Sequence, residues 1–368
     1  MSRKINVSQL QPGMYISELG LDWMSHNFLR GSFAVTDDTI VQRVIASGMQ
    51  EVYIDPARGL DVIDAPTDEA VRAEVEQQMV EVAKKMSPVP RVSASDEMSK
   101  ARVICAEASK VVSDVMKHAR LGLQVEVEQV APIVNRITQS ILRNGNAMVY
   151  LTRIKTKDDY TFQHSVAVCS LLVAFCRSQG MDAETMQLAG IGGLLHDIGK
   201  VRIADAVLNK PGPLTTQEFA QMKGHVAEGA SMLRQAEGFH PISIQVAEQH
   251  HERFDGSGYP HGLAGNAISQ IGQMAAICDV YDAITSQRIY SRPMSPHQAT
   301  AKIFEWGKFH FNPELVHQFL RLIGIYPVGA LVKLESGKLA IVLEQSETSL
   351  LKPVVRAFYD TRHHHVIP

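Results

Sequence analysis

The stretch HDIGK occupies residues 196–200, within and just after a helix that apolar periodicity predicts over 184–196. Adjacent residues on a helix point about 100° apart, so two neighbours rarely bind one metal ion but can serve two ions side by side. A second adjacent pair, His250-His251, falls in a helix predicted over 241–252. The spacing therefore predicts a binuclear metal centre. The seven candidate ligands are His164, His196, Asp197, His225, His250, His251 and Asp279.

The candidate ligands offer imidazole nitrogen and carboxylate oxygen and no thiolate, which favours two divalent ions, iron or manganese, over a cysteine-rich zinc site. Asp197 can bridge both ions. Lys200 suits an anion brought to the metals, although a lysine near a helix end also caps carbonyls. Arg288 would contact a second phosphate or a guanine of the substrate, or else form an ion pair at the surface. These residues indicate phosphoester hydrolysis, and Asp282 is expected to support or cap rather than to bind.

The same residues lie in a long ordered string of motifs: YTFQHS at 160–165, HDIGK at 196–200, KPGPLTTQE at 210–218, HHERFDGSGYP at 250–260 and DVYDAITSQRIY at 279–290. The string resembles the HD-GYP family, bacterial phosphodiesterases of the second messenger cyclic di-GMP. The resemblance covers residues 145–326 and implies a helical domain with a two- or three-iron centre.

Site roles follow from the resemblance position by position. It implies that His164, His196, Asp197 and Asp279 hold one ion, and that Asp197, His225, His250 and His251 hold its neighbour. Lys200 and Arg288 would contact the phosphates, and Tyr259 would line or order the cleft. A hydroxide bridging the two ions would open cyclic di-GMP to pGpG, and a second cut would give GMP. The resemblance also implies docking of GGDEF-type diguanylate cyclases on the GYP segment.

Two departures from the family pattern matter. Some members place a glutamate four residues before the first histidine as a ligand of a third metal, whereas Tyr160 stands there in this chain. Asp158 and Asp159 are shifted along the helix, so the sequence predicts two ions rather than three. Ser291 stands where a substrate lysine often sits, and Arg292, one position on, is the expected substitute.

Two other functions stay open. The altered RIYSR segment at 288–292 also fits a module that binds cyclic di-GMP or a protein partner and hydrolyses little of the nucleotide. An HD-type hydrolase of another nucleotide, such as a mixed cyclic dinucleotide, is the further alternative.

The whole chain of 368 residues is expected to be mainly α, with an all-helical HD-type metallohydrolase domain, a small α+β amino-terminal domain and a short β-hairpin at the carboxyl end. Strand-like MYISEL and EVYIDP and a short helix capped by Asp37 or Asp38 indicate the first domain. We expect the following division: a regulatory module over 1–63, a linker over 64–97, connecting helices over 98–146, the catalytic domain over 147–326 and a β extension over 327–368.

Composition limits the setting of the chain. The charge of −3 excludes a generic basic nucleic-acid binder, so no nucleic-acid polymer is expected as a partner. The start shows no signal peptide, no run suits a membrane span, and the four cysteines show no disulfide-like spacing, so a cytoplasmic, reducing setting is expected. Domain order alone suggests a regulatory or dimerising role for residues 1–63, and hence a homodimer.

Overall fold

A computed structural model describes residues 2–19, 28, 31–83, 94–151, 160–210, 212, 214–286, 293–324, 326–344 and 352–367. Helices dominate, with one small antiparallel sheet near each end of the chain. The expected mainly α fold with a small α+β amino-terminal part is confirmed. Within these ranges, no helix combines the length and the apolar composition needed to cross a bilayer.

The amino-terminal part is a four-stranded sheet covered by one helix. Both expected strands and the expected helix are present, and Asp37 caps the helix by accepting a hydrogen bond from Ile40 N at 3.1 Å. The sheet has the order β1-β4-β2-β3 and its own core, in which Ile16, Val44 and Ile54 are fully buried. Its elements are β1 (Arg3–Asn6), β2 (Tyr15–Leu19), β3 (Phe33–Ala34), α1 (Asp38–Ala46) and β4 (Glu51–Ile54).

The segment 64–97, expected as a linker with a helical middle, contains the helix α2 (Asp68–Ala83). Val71, Val75 and Met79 recur four residues apart and are buried in the large core of the helical domain. Helix α2 is thus held by the helical domain, although its composition is polar overall.

Two long helices follow, α3 (Ala94–Arg120) and α4 (Val127–Leu151). The sequence predicts that Gly122 stops the first of them, and α3 ends just before this glycine, whose φ of 82° suits it. The sequence also predicts a stop at Asn144-Gly145, but there the helix only breaks, since Asn144 leaves helical geometry at φ −154° and ψ 101°. Its side-chain oxygen then accepts a hydrogen bond from Asn146 N at 2.9 Å, which caps a further helical segment.

Eight further helices form the domain that carries the candidate site. Glycines on one of them, α6, allow close packing: a Cβ at Gly192 would lie 2.6 Å from the Cβ of Val246, and one at Gly190 would lie 2.7 Å from Val134. The helices are α5 (Tyr160–Ser178), α6 (Ala183–Leu195), α7 (Asp205–Leu208), α8 (Thr216–Gln235), α9 (Pro241–Gln249), α10 (Gln270–Thr285), α11 (Pro296–Trp306) and α12 (Pro313–Ile323).

The carboxyl end forms the expected hairpin, and two more strands extend it into a four-stranded antiparallel sheet. Gly337, with a φ of 81°, occupies the hairpin turn, where Gly337 N donates to the carbonyl of Leu334. The strands are β5 (Leu331–Lys333), β6 (Lys338–Glu344), β7 (Val354–Asp360) and β8 (His365–Val366).

A buried polar network joins the amino-terminal sheet to α11. The hydroxyl of Tyr53 donates to Glu305 Oε1 at 2.7 Å, and Lys4 Nζ lies 2.7 Å from the same oxygen. Lys302 Nζ contacts both Glu305 and, at 2.6 Å, Glu18 of the sheet. This network fixes the amino-terminal part against the helical domain.

Candidate metal centre

The seven candidate ligands, spread over more than a hundred residues of sequence, come together in the middle of the helical domain. His164, His225 and Asp279 lie inside α5, α8 and α10, while the two adjacent pairs stand at the carboxyl ends of α6 and α9. Each of the seven is at least 96 % buried. So many buried ionisable groups are stable only when they pair with each other or bind metal.

Three of them form what we call the first triad: His164, His196 and Asp279. Asp279 Oδ1 lies 3.1 Å from His164 Nε2 and 3.8 Å from His196 Nε2. The second triad is His225, His250 and His251, whose facing nitrogens also lie within 4.8 Å of one another.

Asp197 stands between the two triads. Its Oδ2 lies 3.3 Å from His196 Nε2 and 3.8 Å from His164 Nε2. Its Oδ1 lies 3.3 Å from His225 Nε2 and 4.0 Å from His250 Nε2. Each carboxylate oxygen therefore faces a different triad, which is the geometry of a bridging carboxylate.

Backbone carbonyls orient the histidine rings. His196 Nδ1 lies 2.8 Å from the carbonyl of Gly193, and His225 and His250 make the same contact with the residue three positions before them. Each contact puts the proton on Nδ1 and turns Nε2 into the cluster. These three Nε2 atoms, both nitrogens of His251 and Asp197 Oδ1 are buried without a hydrogen-bond partner in the described residues. Buried nitrogen and oxygen atoms with free lone pairs and no hydrogen-bond partner are suited to coordinating metal ions.

Asp282 orients the remaining histidine of the first triad. Its Oδ2 lies 2.6 Å from His164 Nδ1, so His164 Nε2 faces Asp279 and Asp197. A carboxylate behind a metal-facing histidine is a common feature of metal sites. The supporting position expected for Asp282 is the one it occupies.

Helix spacing predicts that neighbouring residues point to different ions, yet His250 and His251 both belong to the second triad. His250 also groups with His196 and Asp197, with ligand atoms within 4.8 Å of one another. The helix expected to reach residue 252 ends at Gln249, with His250 as its cap residue. The rings of His250 and His251 lie 4.1 Å apart between centroids.

Electrostatics favour charged carboxylates and neutral imidazoles in the cluster. Burial alone would raise the pKa of Asp197, but Lys200 and His196 outweigh it and hold the pKa well below its ordinary value. Burial, with the proximity of His196, lowers the pKa of His250 to about 3, and burial with His250 lowers that of His251 well below its usual range. These are the protonation states that bind metal.

His196 and Cys278 differ from that pattern. Burial would lower the pKa of His196, but Asp197 and Asp279 raise it overall. A raised pKa means that protons compete more strongly with metal at this ring. Burial raises the pKa of Cys278, beside Asp279, well above its usual value, so this cysteine remains a thiol.

The HDIGK motif is not a continuous helix. Helix α6 ends at Leu195, and residues Ile198–Arg202 form a 3₁₀ helix. Residues three apart eclipse one another there. Lys200 therefore faces Asp197, three residues before it, with Nζ 2.6 Å from Oδ2. A continuous helix would instead place Lys200 on the same face as His196, four residues before it.

Gly199 lets this 3₁₀ helix touch α8. A Cβ at this position would lie 1.9 Å from the carbonyl oxygen of His225 and 2.5 Å from Gly229 N. Only glycine permits the approach that brings Asp197 next to His225.

The GYP loop, residues 254–260, closes the second triad. Tyr259 stacks on His251 with ring centroids 4.7 Å apart and an interplanar angle of 27°. Gly258 passes so close to the preceding turn that a Cβ would lie 2.3 Å from Arg253 N. His310 is buried and holds the loop through Asp255 Oδ2 at 3.1 Å.

Several expected residues lie outside the described part of the chain. Arg288, Ser291 and Arg292 fall in 287–292, and Asp158 and Asp159 fall in 152–159. Helix α5 begins at Tyr160. No sequence motif marks Lys223, which also lies next to the second triad. Its only signal in the sequence is Phe219, four positions earlier on the same predicted helix.

A helical bundle that buries an adjacent histidine-aspartate pair among further histidines and aspartates defines the HD-domain class. Residues 149–315 match the HD domain family, and residues 2–130 match a domain of unknown function, DUF3391. The chain belongs to the HD-GYP family.

Individual relatives support this placement. Cyclic di-GMP phosphodiesterase PA4108 of Pseudomonas aeruginosa is 41% identical over 370 residues, covering 100% of this chain and 88% of that protein. A cyclic di-GMP phosphodiesterase of Vibrio cholerae is 33% identical over 58% of this chain and 51% of its own length. The solved structure of Bd1817, an HDG"Y"P protein of Bdellovibrio bacteriovorus, matches with a TM-score of 0.51 and 18% identity over 87% of this chain and 98% of its own, which supports the fold.

Proposed function

We propose that this chain is a metal-dependent phosphodiesterase that hydrolyses cyclic di-GMP. The observation that carries the proposal is Asp197, whose two carboxylate oxygens face two separate triads of buried donor atoms. Relatives of Pseudomonas aeruginosa, Vibrio cholerae and Thermotoga maritima named as cyclic di-GMP phosphodiesterases support the choice of substrate.

The proposed cofactor is a pair of divalent ions, iron or manganese. The first triad would hold one ion, the second triad would hold the other, and Asp197 would bridge them. When bound, two such ions supply the Lewis acidity that activates water and offsets charge on phosphoryl oxygens. Tyr160, in the position of a third-metal glutamate, supports a count of two.

The chain's own residues would bind and orient the substrate. Lys200 places an ammonium next to Asp197, where it would add positive charge beside the phosphate being cut. The role of Tyr259 would be to wall the cleft beside His251. Arg288 and Arg292 are proposed as further phosphate or guanine contacts on sequence grounds, since they lie outside the described residues.

The finer features of the proposal are the products and partners. Cutting one phosphodiester gives pGpG, and a second cut gives GMP. The GYP loop would be the docking surface for GGDEF-type cyclases, and the amino-terminal module would regulate the enzyme or join two copies in a homodimer. The two family matches, at 2–130 and 149–315, support a catalytic domain near 147–326 behind a separate amino-terminal module.

Nucleotide chromatography after incubation with cyclic di-GMP tests the proposal. The manganese- or iron(II)-loaded chain is expected to produce pGpG or GMP, and Asp197→Asn is expected to produce neither because the bridge is weakened. Asp205→Asn, which changes an exposed carboxylate of the same domain, serves as the matched control.

Two results would contradict the proposal. Hydrolysis of cyclic di-GMP by a fully metal-loaded Asp197→Asn chain would show that Asp197 does not act as the bridge. Recovery of unchanged cyclic di-GMP from the loaded wild type would favour the binding-module alternative. A parallel incubation with 3′3′-cGAMP is informative because three relatives are named as specific for that dinucleotide.

A further inference from the structure

Lys223 lies at the edge of the metal centre with its ammonium held by two aromatic rings. It belongs to α8, two residues before His225 of the second triad. Its Nζ lies 4.8 Å from the ring centroid of Phe219 and 4.9 Å from that of Tyr259. All three side chains are half-buried, so they form a partly enclosed surface rather than a solvated one.

The electrostatic setting of Lys223 differs from that of four other lysines that are buried or half-buried. Lys4 and Lys302 have carboxylates within 2.7 Å, and Lys200 and Lys210 have them within 2.6 Å. In the described ranges Lys223 forms no ion pair, and its neighbours are rings. Aromatic rings attract an ammonium without neutralising its charge, so the cation stays available to an anion from outside.

The position of Lys223 relates it to the second triad. Tyr259, which contacts the Lys223 ammonium, also stacks on His251, so a single ring separates Lys223 from a candidate metal ligand. Lys200, by contrast, lies directly on Asp197 between the triads. The two lysines thus stand at two different places beside the cluster, Lys200 on the bridging aspartate and Lys223 on the tyrosine that stacks on the second triad.

We propose that Lys223 binds the phosphate of the cyclic dinucleotide that is not being cut. This inference rests on the proposed function. A cyclic dinucleotide carries two phosphodiesters, and only one can face the bridging carboxylate at a time. The other phosphodiester must lie away from Asp197. The Lys223 ammonium, held in place by Phe219 and Tyr259, offers it a matching positive charge. Lys223 would thereby select substrates with a second phosphate.

The test compares Lys223→Met with Lys223→Arg and the wild type on two substrates. Methionine keeps an unbranched apolar side chain against the rings and removes the charge. Cyclic di-GMP has two phosphodiesters, and bis(p-nitrophenyl) phosphate has one. Lys117→Met, at an exposed site on α3, controls for loss of a positive charge in general. Metal content of every variant is measured by mass spectrometry to confirm that α8 still supports the cluster.

For cyclic di-GMP, Lys223→Met is expected to raise KM and the dissociation constant by about ten-fold or more, the usual effect of losing a hydrogen bond between charged groups. Lys223→Arg is expected to restore much of the affinity. The ratio of kcat/KM for cyclic di-GMP to that for bis(p-nitrophenyl) phosphate is expected to fall about ten-fold in Lys223→Met, with metal content unchanged.

An equal loss on both substrates would overturn the proposal, because Lys223 would then act at the reacting phosphate or through the cluster. No change in KM would overturn it as well. If the loaded wild type binds cyclic di-GMP without cutting it, the proposed function fails, and the dissociation constants of the variants still decide the role of Lys223. If the wild type neither binds nor cuts it, both fail together.

Discussion

Replacing Gly199 with alanine tests how the HDIGK motif is held against α8. The added Cβ would lie 1.9 Å from the carbonyl oxygen of His225, whereas carbon makes comfortable contacts at about 3.5 Å or more. One of the two segments must therefore retreat by roughly 1.5 Å. Neither obstructing atom can rotate away, because both belong to the backbone of α8. Overpacking typically costs about 1–3 kcal/mol, and we expect the upper end of that range here.

Gly224→Ala provides a matched control on the same helix. A Cβ at Gly224 meets nothing within 4 Å, and alanine is favoured over glycine inside a helix by about 0.5–1 kcal/mol. The two substitutions add the same methyl group within one region, and we expect Gly199→Ala to lower the stability of the fold and Gly224→Ala to raise it.

Guanidinium unfolding of the chelator-treated chain, followed by far-ultraviolet circular dichroism, measures both effects. The midpoint should fall for Gly199→Ala and rise slightly for Gly224→Ala. Calorimetric titration should also show weaker manganese binding by Gly199→Ala, because displacement of α8 moves His225. An unchanged midpoint for Gly199→Ala would refute the steric argument, since it would mean that the 3₁₀ helix and α8 can move apart without loss of stability.

Three other predictions concern the cluster and its supports. Asp282→Asn should weaken manganese binding about 10–100-fold in calorimetric titration, because the charge that orients His164 is lost; unchanged affinity would make that contact incidental. The metal-free chain should lose stability as pH falls from about 6.5 toward 3, because His250 stays neutral when folded and takes up a proton when unfolded, and His250→Gln should flatten that dependence in urea unfolding. Tyr53→Phe should cost about 1 kcal/mol in thermal unfolding, because Glu305 loses a buried hydrogen bond; an unchanged melting temperature would argue against a stabilising interface.

The sequence predicted the helical domain well because the relevant signals are local. Apolar periodicity gave helices over 184–196 and 241–252, close to the observed α6 and α9, and the expected cap of α1 is Asp37. The ordered motifs predicted that seven residues from distant parts of the chain would meet. That prediction came from the resemblance to the HD-GYP family, which implies the ligand set position by position.

Features that depend on distant contacts were harder to predict. The buried face of α2 has three apolar side chains in a polar segment, and its partners α11 and α12 lie more than two hundred residues away. The rings of His250 and His251 approach to 4.1 Å at the end of α9, and periodicity does not place a helix end to within a residue or two. Lys223 had no distinguishing motif, because its surroundings come from the GYP loop.

Anomalous X-ray diffraction from crystals of the manganese-loaded chain tests the central claim most directly. We expect two peaks, one contacted by His164, His196 and Asp279 and the other by His225, His250 and His251, with an oxygen of Asp197 on each. A single peak, a third peak, or a pair of peaks without Asp197 between them would contradict the binuclear centre proposed for this chain.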